Sequence, residues 1–216
     1  MSDLRKRVCI HYLKDAGKMI LMALGIAAII LVENLILNYG DAEMIEDMID
    51  SAIMTFGLFI LLFNGIYAMY GPTWTDSLVL SMGVRRSDIF VGNILKEITF
   101  AVLGLIVLLA ACYLTANYHF MFFSIYMCVA SLVIAGIARI VGYKIKKFGK
   151  VALVVLVAVI ATLSGIIGMS IALDGFAFDW FKFSVNTSVL TWGAFLIIYG
   201  ILQDIVYRLN SKAMVH

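Results

Sequence analysis

Long apolar runs are the feature that most constrains how this chain can fold. A helix needs about 20 consecutive, mostly apolar residues to cross the hydrocarbon core of a membrane. Six stretches meet that length, near 19–38, 51–70, 98–116, 120–142, 150–173 and 189–207. Of all residues, 63% are hydrophobic and 14% are charged, whereas a soluble domain is nearer half apolar and a quarter charged. The sequence therefore predicts an all-α integral membrane protein, one domain over 1–216, with six transmembrane helices.

The distribution of Lys and Arg predicts how these spans are oriented. With six spans, fifteen of the sixteen basic residues fall on one side and only Lys182 falls on the other. Loops rich in Lys and Arg remain in the cytoplasm. We therefore expect both termini, and the loop between the second and third spans, to be cytoplasmic. The opposite side carries an acidic loop at 41–50 and an aromatic cluster at 176–183.

An amphipathic pattern precedes the first span. Apolar residues recur at every fourth position, at Leu4, Val8, Tyr12 and Ala16. Basic residues lie mostly on the other faces of the same helix. Basic amphipathic helices of this kind lie in the membrane interface. We expect a separate interfacial helix over 2–18, and a frayed basic tail is the alternative.

A short helix is predicted over 72–83, between the second and third spans. Thr73 and Asp76 form a T-x-x-D capping pattern at its start. Trp74, Leu78 and Met82 recur at four-residue spacing and therefore share one face. The residues that follow are Gly83, which suits a left-handed helix end, and then Arg85 and Arg86.

Two polar residues inside the spans are candidates for lining a route through the membrane. Glu33 lies in the first span and Asn64 in the second. A charge within a span is costly and marks either a functional site or a pairing inside the bundle. Both interpretations stay open for Glu33, and structural hydrogen bonding is favoured for Asn64. For Arg139 and Asp204, near the inner ends of their spans, we expect snorkelling or an ion pair between the two.

Motifs for chemistry within the chain are missing from the sequence. It has no G-x-x-x-x-G-K-[ST] phosphate loop and no H-E-x-x-H zinc pair. Its three cysteines lack metal-site spacing. A net charge of +2 gives no indication of nucleic-acid binding. We therefore expect no catalytic residues, metal site or cofactor in this chain.

Residues 76–95, DSLVLSMGVRRSDIFVGNIL, resemble the permease subunits of type-two ABC transporters, the group with the ABCG-like exporter fold. The order of parts is similar as well: an amphipathic amino helix, six spans and a short helix between the second and third. The resemblance implies that the short helix is a coupling helix, which docks on a separate ATPase subunit. The residues implied in that contact are Trp74, Asp76, Leu78, Met82, Arg85 and Arg86.

The similar permeases include small six-span proteins of Gram-positive bacteria that export phenol-soluble modulin peptides. The resemblance implies a cell-membrane exporter that pairs with a second permease copy and two copies of the ATPase, which bind ATP and Mg²⁺. Its cargo would be hydrophobic or amphipathic, most simply a peptide. The large extracellular loop of some relatives is missing, because the outer loop at 174–188 is short. The alternative is a membrane immunity or peptide-sensing subunit that transports nothing and has no ATPase partner.

Overall fold

The computed structural model describes residues 3–37, 43–149 and 185–212, which are almost entirely helical. The α-helices are α1 (Asp3–Leu37), α2 (Glu43–Tyr70), α3 (Asp76–Ser81), α4 (Arg86–Leu114), α5 (Met121–Phe148) and α6 (Val185–Lys212). A π-helical turn (Gly71–Thr75) joins α2 to α3, and a short 3₁₀ helix (Tyr118–Phe120) precedes α5. The predicted all-α class is confirmed.

Five helical stretches within the described ranges are long and apolar enough to cross a membrane. They are Arg5–Glu33, Ile49–Ser81, Arg86–Leu114, Met121–Phe148 and Val189–Ser211. Each of them contains or overlaps one predicted span. The predicted span at 150–173 and the aromatic cluster at 176–183 lie outside the described residues.

The predicted boundary between an interfacial helix and the first span is wrong, because α1 runs without a break from Asp3 to Leu37. The predicted apolar stripe does form, and Val8, Tyr12 and Ala16 are all buried. Near its amino end the stripe packs on α3 and α4. The same face continues into the apolar core of the span, so nothing interrupts the helix at residue 18.

The helix that contains the third predicted span begins well before residue 98, because α4 starts at Arg86. Two adjacent charged residues, Lys96 and Glu97, lower the local hydropathy and hide the continuation of the apolar pattern. Both side chains are buried inside the bundle instead of lying in a loop.

Five segments meet at one end of the bundle, which we call the basic end. Arg5 of α1 lies 3.5 Å from Asp88 at the start of α4. Val8 of α1 packs in one cluster with Val79 of α3. The hydroxyl of Tyr143, late in α5, donates to Asn210 Oδ1 near the end of α6, at 3.1 Å. Arg86, at the start of α4, donates to the carbonyl oxygen of Ser211 in α6, so the amino ends of α1 and α4 lie together with α3 and the carboxyl ends of α5 and α6.

At the opposite end, the amide of Asn117, in the connection before α5, donates to Asp50 Oδ1 near the start of α2, at 2.6 Å. Phe122 and Trp192, both near the amino ends of their helices, stack with ring centroids 6.0 Å apart. Because Tyr143 and Asn210 meet at the basic end, α5 and α6 run parallel to each other.

Close approach of α2 and α5 depends on small residues. A Cβ atom on Gly142 would overlap the backbone carbonyl oxygen of Met69. A Cβ atom on Gly65 would lie 2.9 Å from the Ile134 side chain. Small residues let helix backbones pack closely in membranes, where lipid gives helices little hydrophobic reason to associate.

Candidate functional site

The three apolar side chains predicted to share one face lie exposed on the segment after α2. Trp74 is 74% exposed, Leu78 is 59% exposed and Met82 is 67% exposed. We call these three residues the exposed face. Gly83 follows with φ +80°, a left-handed conformation that glycine adopts without strain. The predicted helix end at Gly83 is confirmed.

The predicted cap at the start of this helix is wrong. The Thr73 hydroxyl donates to the carbonyl oxygen of Tyr70 at 3.0 Å, so it does not cap a new helix. The segment instead continues from α2 through the π-helical turn and becomes α-helical at Asp76. π-Helical turns inside helices occur frequently at functional sites.

The side of α3 opposite the exposed face is anchored by Asp76, which is only 4% exposed. Its Oδ1 accepts hydrogen bonds from the Tyr12 hydroxyl at 3.0 Å and from the Asn93 amide at 2.9 Å. Asp76 therefore ties α3 to both α1 and α4. The buried carboxylate of Asp76 serves contacts within the chain, and its role in an ATPase contact stays a prediction.

Tyr12 reaches Asp76 because α1 and α4 approach closely at Gly92. A Cβ atom on Gly92 would overlap the ring of Tyr12. The ring is fully buried and belongs to an apolar cluster with Val79 and Ile89. The polar contact of Asp76 is thus set within apolar packing, where a hydrogen bond is stronger than in water.

One helical turn further along α4, Glu97 joins α4, α5 and α6. Its carboxylate accepts hydrogen bonds from Arg139, from the Tyr199 hydroxyl at 2.8 Å and from the Gln203 amide at 3.1 Å. The Arg139 and Glu97 side chains are 1% and 0% exposed. A buried charge is tolerated when it is paired and hydrogen-bonded, and Glu97 meets both conditions.

Like the charged side chains of Asp76, Glu97 and Arg139, Lys96 is almost completely buried, at 3% exposed. Its ammonium lies 5.5 Å from the centroid of the Tyr12 ring, a cation–π distance. No carboxylate oxygen of the described residues lies within 4.0 Å of that ammonium. Lys96 therefore lies near Asp76 and Glu97 without forming an ion pair with either carboxylate. We call the seven residues Tyr12, Asp76, Asn93, Lys96, Glu97, Arg139 and Tyr199 the buried polar cluster.

The two arginines after Gly83 have different environments. Arg85 is exposed, whereas Arg86 is partly buried and donates to the carbonyl oxygens of Asn210 at 3.5 Å and Ser211 at 3.0 Å. The Asn210 amide donates back to the Arg86 carbonyl oxygen at 2.9 Å. Of the two, Arg85 is the one whose side chain is open to a partner.

The two candidates for a route through the membrane have different environments. Asn64 is buried, and its amide donates to Ser131 Oγ at 3.2 Å across the α2–α5 contact. The structural interpretation of Asn64 therefore fits the fold. Glu33 is exposed on the surface of α1.

The expected pairing of Arg139 with Asp204 is wrong. Arg139 pairs with Glu97, and Asp204 forms a surface pair with Arg208 at 2.8 Å. Sequence reasoning missed the role of Lys96 and Glu97 because it assigned Lys96 to a loop. Extending the apolar pattern back from residue 98 to Ser87 as one helix would have placed both charged residues inside a span.

The buried polar cluster holds helices together through charge and hydrogen bonds, and it brings α1, α3, α4, α5 and α6 to one place. Within the described ranges, no group of three or more His, Cys, Asp or Glu side chains is arranged to hold a metal ion. Comparisons with protein-family models, curated proteins and solved structures gave no match.

Proposed function

We propose that this chain is the membrane-spanning subunit of an ATP-driven exporter and that it works with a separate ATPase subunit. The observation that carries the proposal is the two-sided construction of α3. One side presents the exposed face, and the other is anchored through Asp76 to α1 and α4. A partner bound to the exposed face would therefore act on the spans and not on a loose loop.

The length of the second span supports a position for α3 outside the hydrocarbon core. The stretch Ile49–Ser81 has 33 residues, which corresponds to about 50 Å of helix at 1.5 Å per residue. The hydrocarbon core is only about 30 Å thick. The last turns, including α3, would then project on the side where the basic residues gather, which is the cytoplasmic side by the positive-inside rule.

The parallel course of α5 and α6 supports a sixth span. The carboxyl end of α5 lies at the basic end and the amino end of α6 lies at the opposite end. In this proposal the predicted span at 150–173 connects these two ends as a sixth span, and both termini would then be cytoplasmic.

Transport in this proposal needs two copies of the chain, because six spans enclose little space on their own. Cargo would enter from the cytosol or inner leaflet and leave along a route between the copies. ATP binding would draw two ATPase subunits together, and its preference for that closed state would shift the population of permease conformations. An apolar interior suits a hydrophobic or amphipathic cargo such as a peptide. The cell membrane of a Gram-positive bacterium is the location that the resemblance implies.

Trp74→Ala is expected to weaken association with the ATPase subunit by about 2 kcal/mol or more, the range of a buried aromatic anchor at an interface. The measurement is co-purification with any single-domain ABC ATPase that is encoded next to this gene, followed by titration in nanodiscs. Leu62→Ala is the matched control, because Leu62 is an exposed apolar residue within α2. Equal binding of the ATPase subunit by both variants would show that the exposed face is not the docking site. A chain that purifies as a folded oligomer without any ATPase would favour an immunity or sensing role.

Glu33→Gln is expected to raise the cargo concentration needed for half-maximal stimulation of ATP hydrolysis by about tenfold. The reason is that a hydrogen bond to a charged group contributes about 1.5 kcal/mol, and Glu33 presents its carboxylate on the surface of α1. Hydrolysis is measured in nanodiscs with increasing concentrations of a cationic amphipathic peptide. Assembly with the ATPase is the control and should not change. A change in folding yield alone would make Glu33 structural.

A further inference from the structure

The contacts around Asp76 are incomplete in a way that points to a second arrangement. Asp76 Oδ1 accepts two hydrogen bonds, whereas Oδ2 is buried and has no hydrogen-bond partner among the described residues. Lys96 is buried beside it and likewise forms no ion pair within the described ranges. A buried carboxylate and a buried ammonium are both costly unless they compensate each other.

Tyr12 contacts both the Asp76 carboxylate and the Lys96 ammonium. Its hydroxyl donates to Asp76, and the face of its ring lies against the Lys96 ammonium at 5.5 Å from the centroid. Asn93 and Lys96 are three residues apart on α4 and therefore neighbours on the helix surface. Asp76, now hydrogen-bonded to Asn93, lies within electrostatic range of Lys96, as do Arg139 and Glu97. A lysine side chain is a flexible four-carbon stem, so the Lys96 ammonium can change its position by side-chain rotation.

We propose that Asp76 exchanges partners between two conformations. In the conformation described here it is held by the Tyr12 hydroxyl and the Asn93 amide. In the second conformation the carboxylate of Asp76 pairs with the ammonium of Lys96, and α3 moves with it. The Tyr12 hydroxyl then donates to Asn93 Oδ1, which is buried and lacks a partner among the described residues in the present arrangement.

The backbone on both sides of α3 suits such a movement. The π-helical turn Gly71–Thr75, which contains Pro72, separates α3 from α2. On the other side, α3 ends before Gly83, whose φ is +80°. α3 itself is only six residues long. A short rigid helix between two irregular joints can shift as a unit, while the hydrogen bonds of α2 and α4 remain intact.

The test measures the separation of α3 and α1 with spin labels on cysteines placed at the exposed positions Ser81 and Lys14. The native cysteines, Cys9, Cys112 and Cys128, are first replaced by alanine. Tyr12→Phe is expected to increase the population at the second distance relative to the first by about fivefold, because the hydroxyl's hydrogen bond to the charged Asp76 carboxylate in the first conformation is stronger than its bond to the neutral Asn93 amide in the second. Lys96→Met is expected to remove the population at the second distance, whereas Lys96→Arg is expected to retain that population.

A distance distribution that is the same in Tyr12→Phe and Lys96→Met would overturn the proposal. So would a second distance that persists in Lys96→Met. If Lys96→Met does not fold, Lys96→Gln replaces it, and Tyr12→Phe decides the outcome independently. The inference deepens the proposed function, since α3 carries the exposed face. The distances are measured on the chain without an ATPase, so a negative result leaves the Trp74 binding experiment unaffected.

Discussion

Replacing Arg139 with methionine is expected to lower the free energy of unfolding by about 3–5 kcal/mol, because the change leaves a buried carboxylate without its cation. Arg139 lies on α5 and pairs with Glu97 on α4. The two other donors to that carboxylate, Tyr199 and Gln203, are neutral and do not cancel its charge. The measurement is denaturant unfolding of the purified protein in detergent, with tryptophan fluorescence as the signal that reports unfolding.

Two controls separate the buried ion pair from other causes. Arg208→Met removes a surface cation that pairs with Asp204, and exposed pairs contribute about 1 kcal/mol or less. Adding Glu97→Leu to Arg139→Met is expected to restore most of the lost stability, because replacing both members of a buried pair with apolar groups is often neutral. A double variant as unstable as the single one would show that the uncompensated charge is not the cause.

Gly142→Ala is expected to destabilise the protein by about 1–3 kcal/mol, the usual cost of forcing extra volume into a packed interior. The added methyl group would overlap the backbone carbonyl oxygen of Met69, which cannot rotate out of the way as a side chain can. α2 and α5 would have to move apart along their contact, and the Asn64–Ser131 hydrogen bond across it would lengthen. Thermal unfolding in detergent gives the change in stability.

The control for this prediction is Gly25→Ala on α1. A Cβ atom on Gly25 would have no described atom within 4 Å apart from its own stretch of helix. Alanine has a higher helix propensity than glycine, by about 1 kcal/mol, so Gly25→Ala is expected to be neutral or stabilising. The two substitutions make the same chemical change, but their effects on stability should differ: Gly142→Ala should destabilise the protein and Gly25→Ala should not. Equal effects would mean that backbone approach at Gly142 does not limit the stability of the α2–α5 contact.

Local patterns in the sequence determined much of this protein. Apolar runs indicated the helices, and five of the predicted spans are found as long apolar helices. Four-residue spacing placed Val8, Tyr12 and Ala16 on a buried face, and it placed the three residues of the exposed face together. The left-handed backbone at Gly83 was also predictable, because a glycine that directly follows a helical pattern favours that conformation. Helix formation and facing depend on neighbours within a few residues, which a sequence displays directly.

The tertiary structure alone decided the buried polar cluster. Asp76 fits a local capping pattern with Thr73, but burial against α1 and α4 gives its carboxylate stronger partners in Tyr12 and Asn93. Glu97 accepts from Tyr199, which is 102 residues away in sequence. Whether two such residues meet depends on how the helices are rotated and shifted against each other. That arrangement follows from close packing at positions such as Gly92 and from the high cost of an unpaired buried charge, neither of which a local pattern contains.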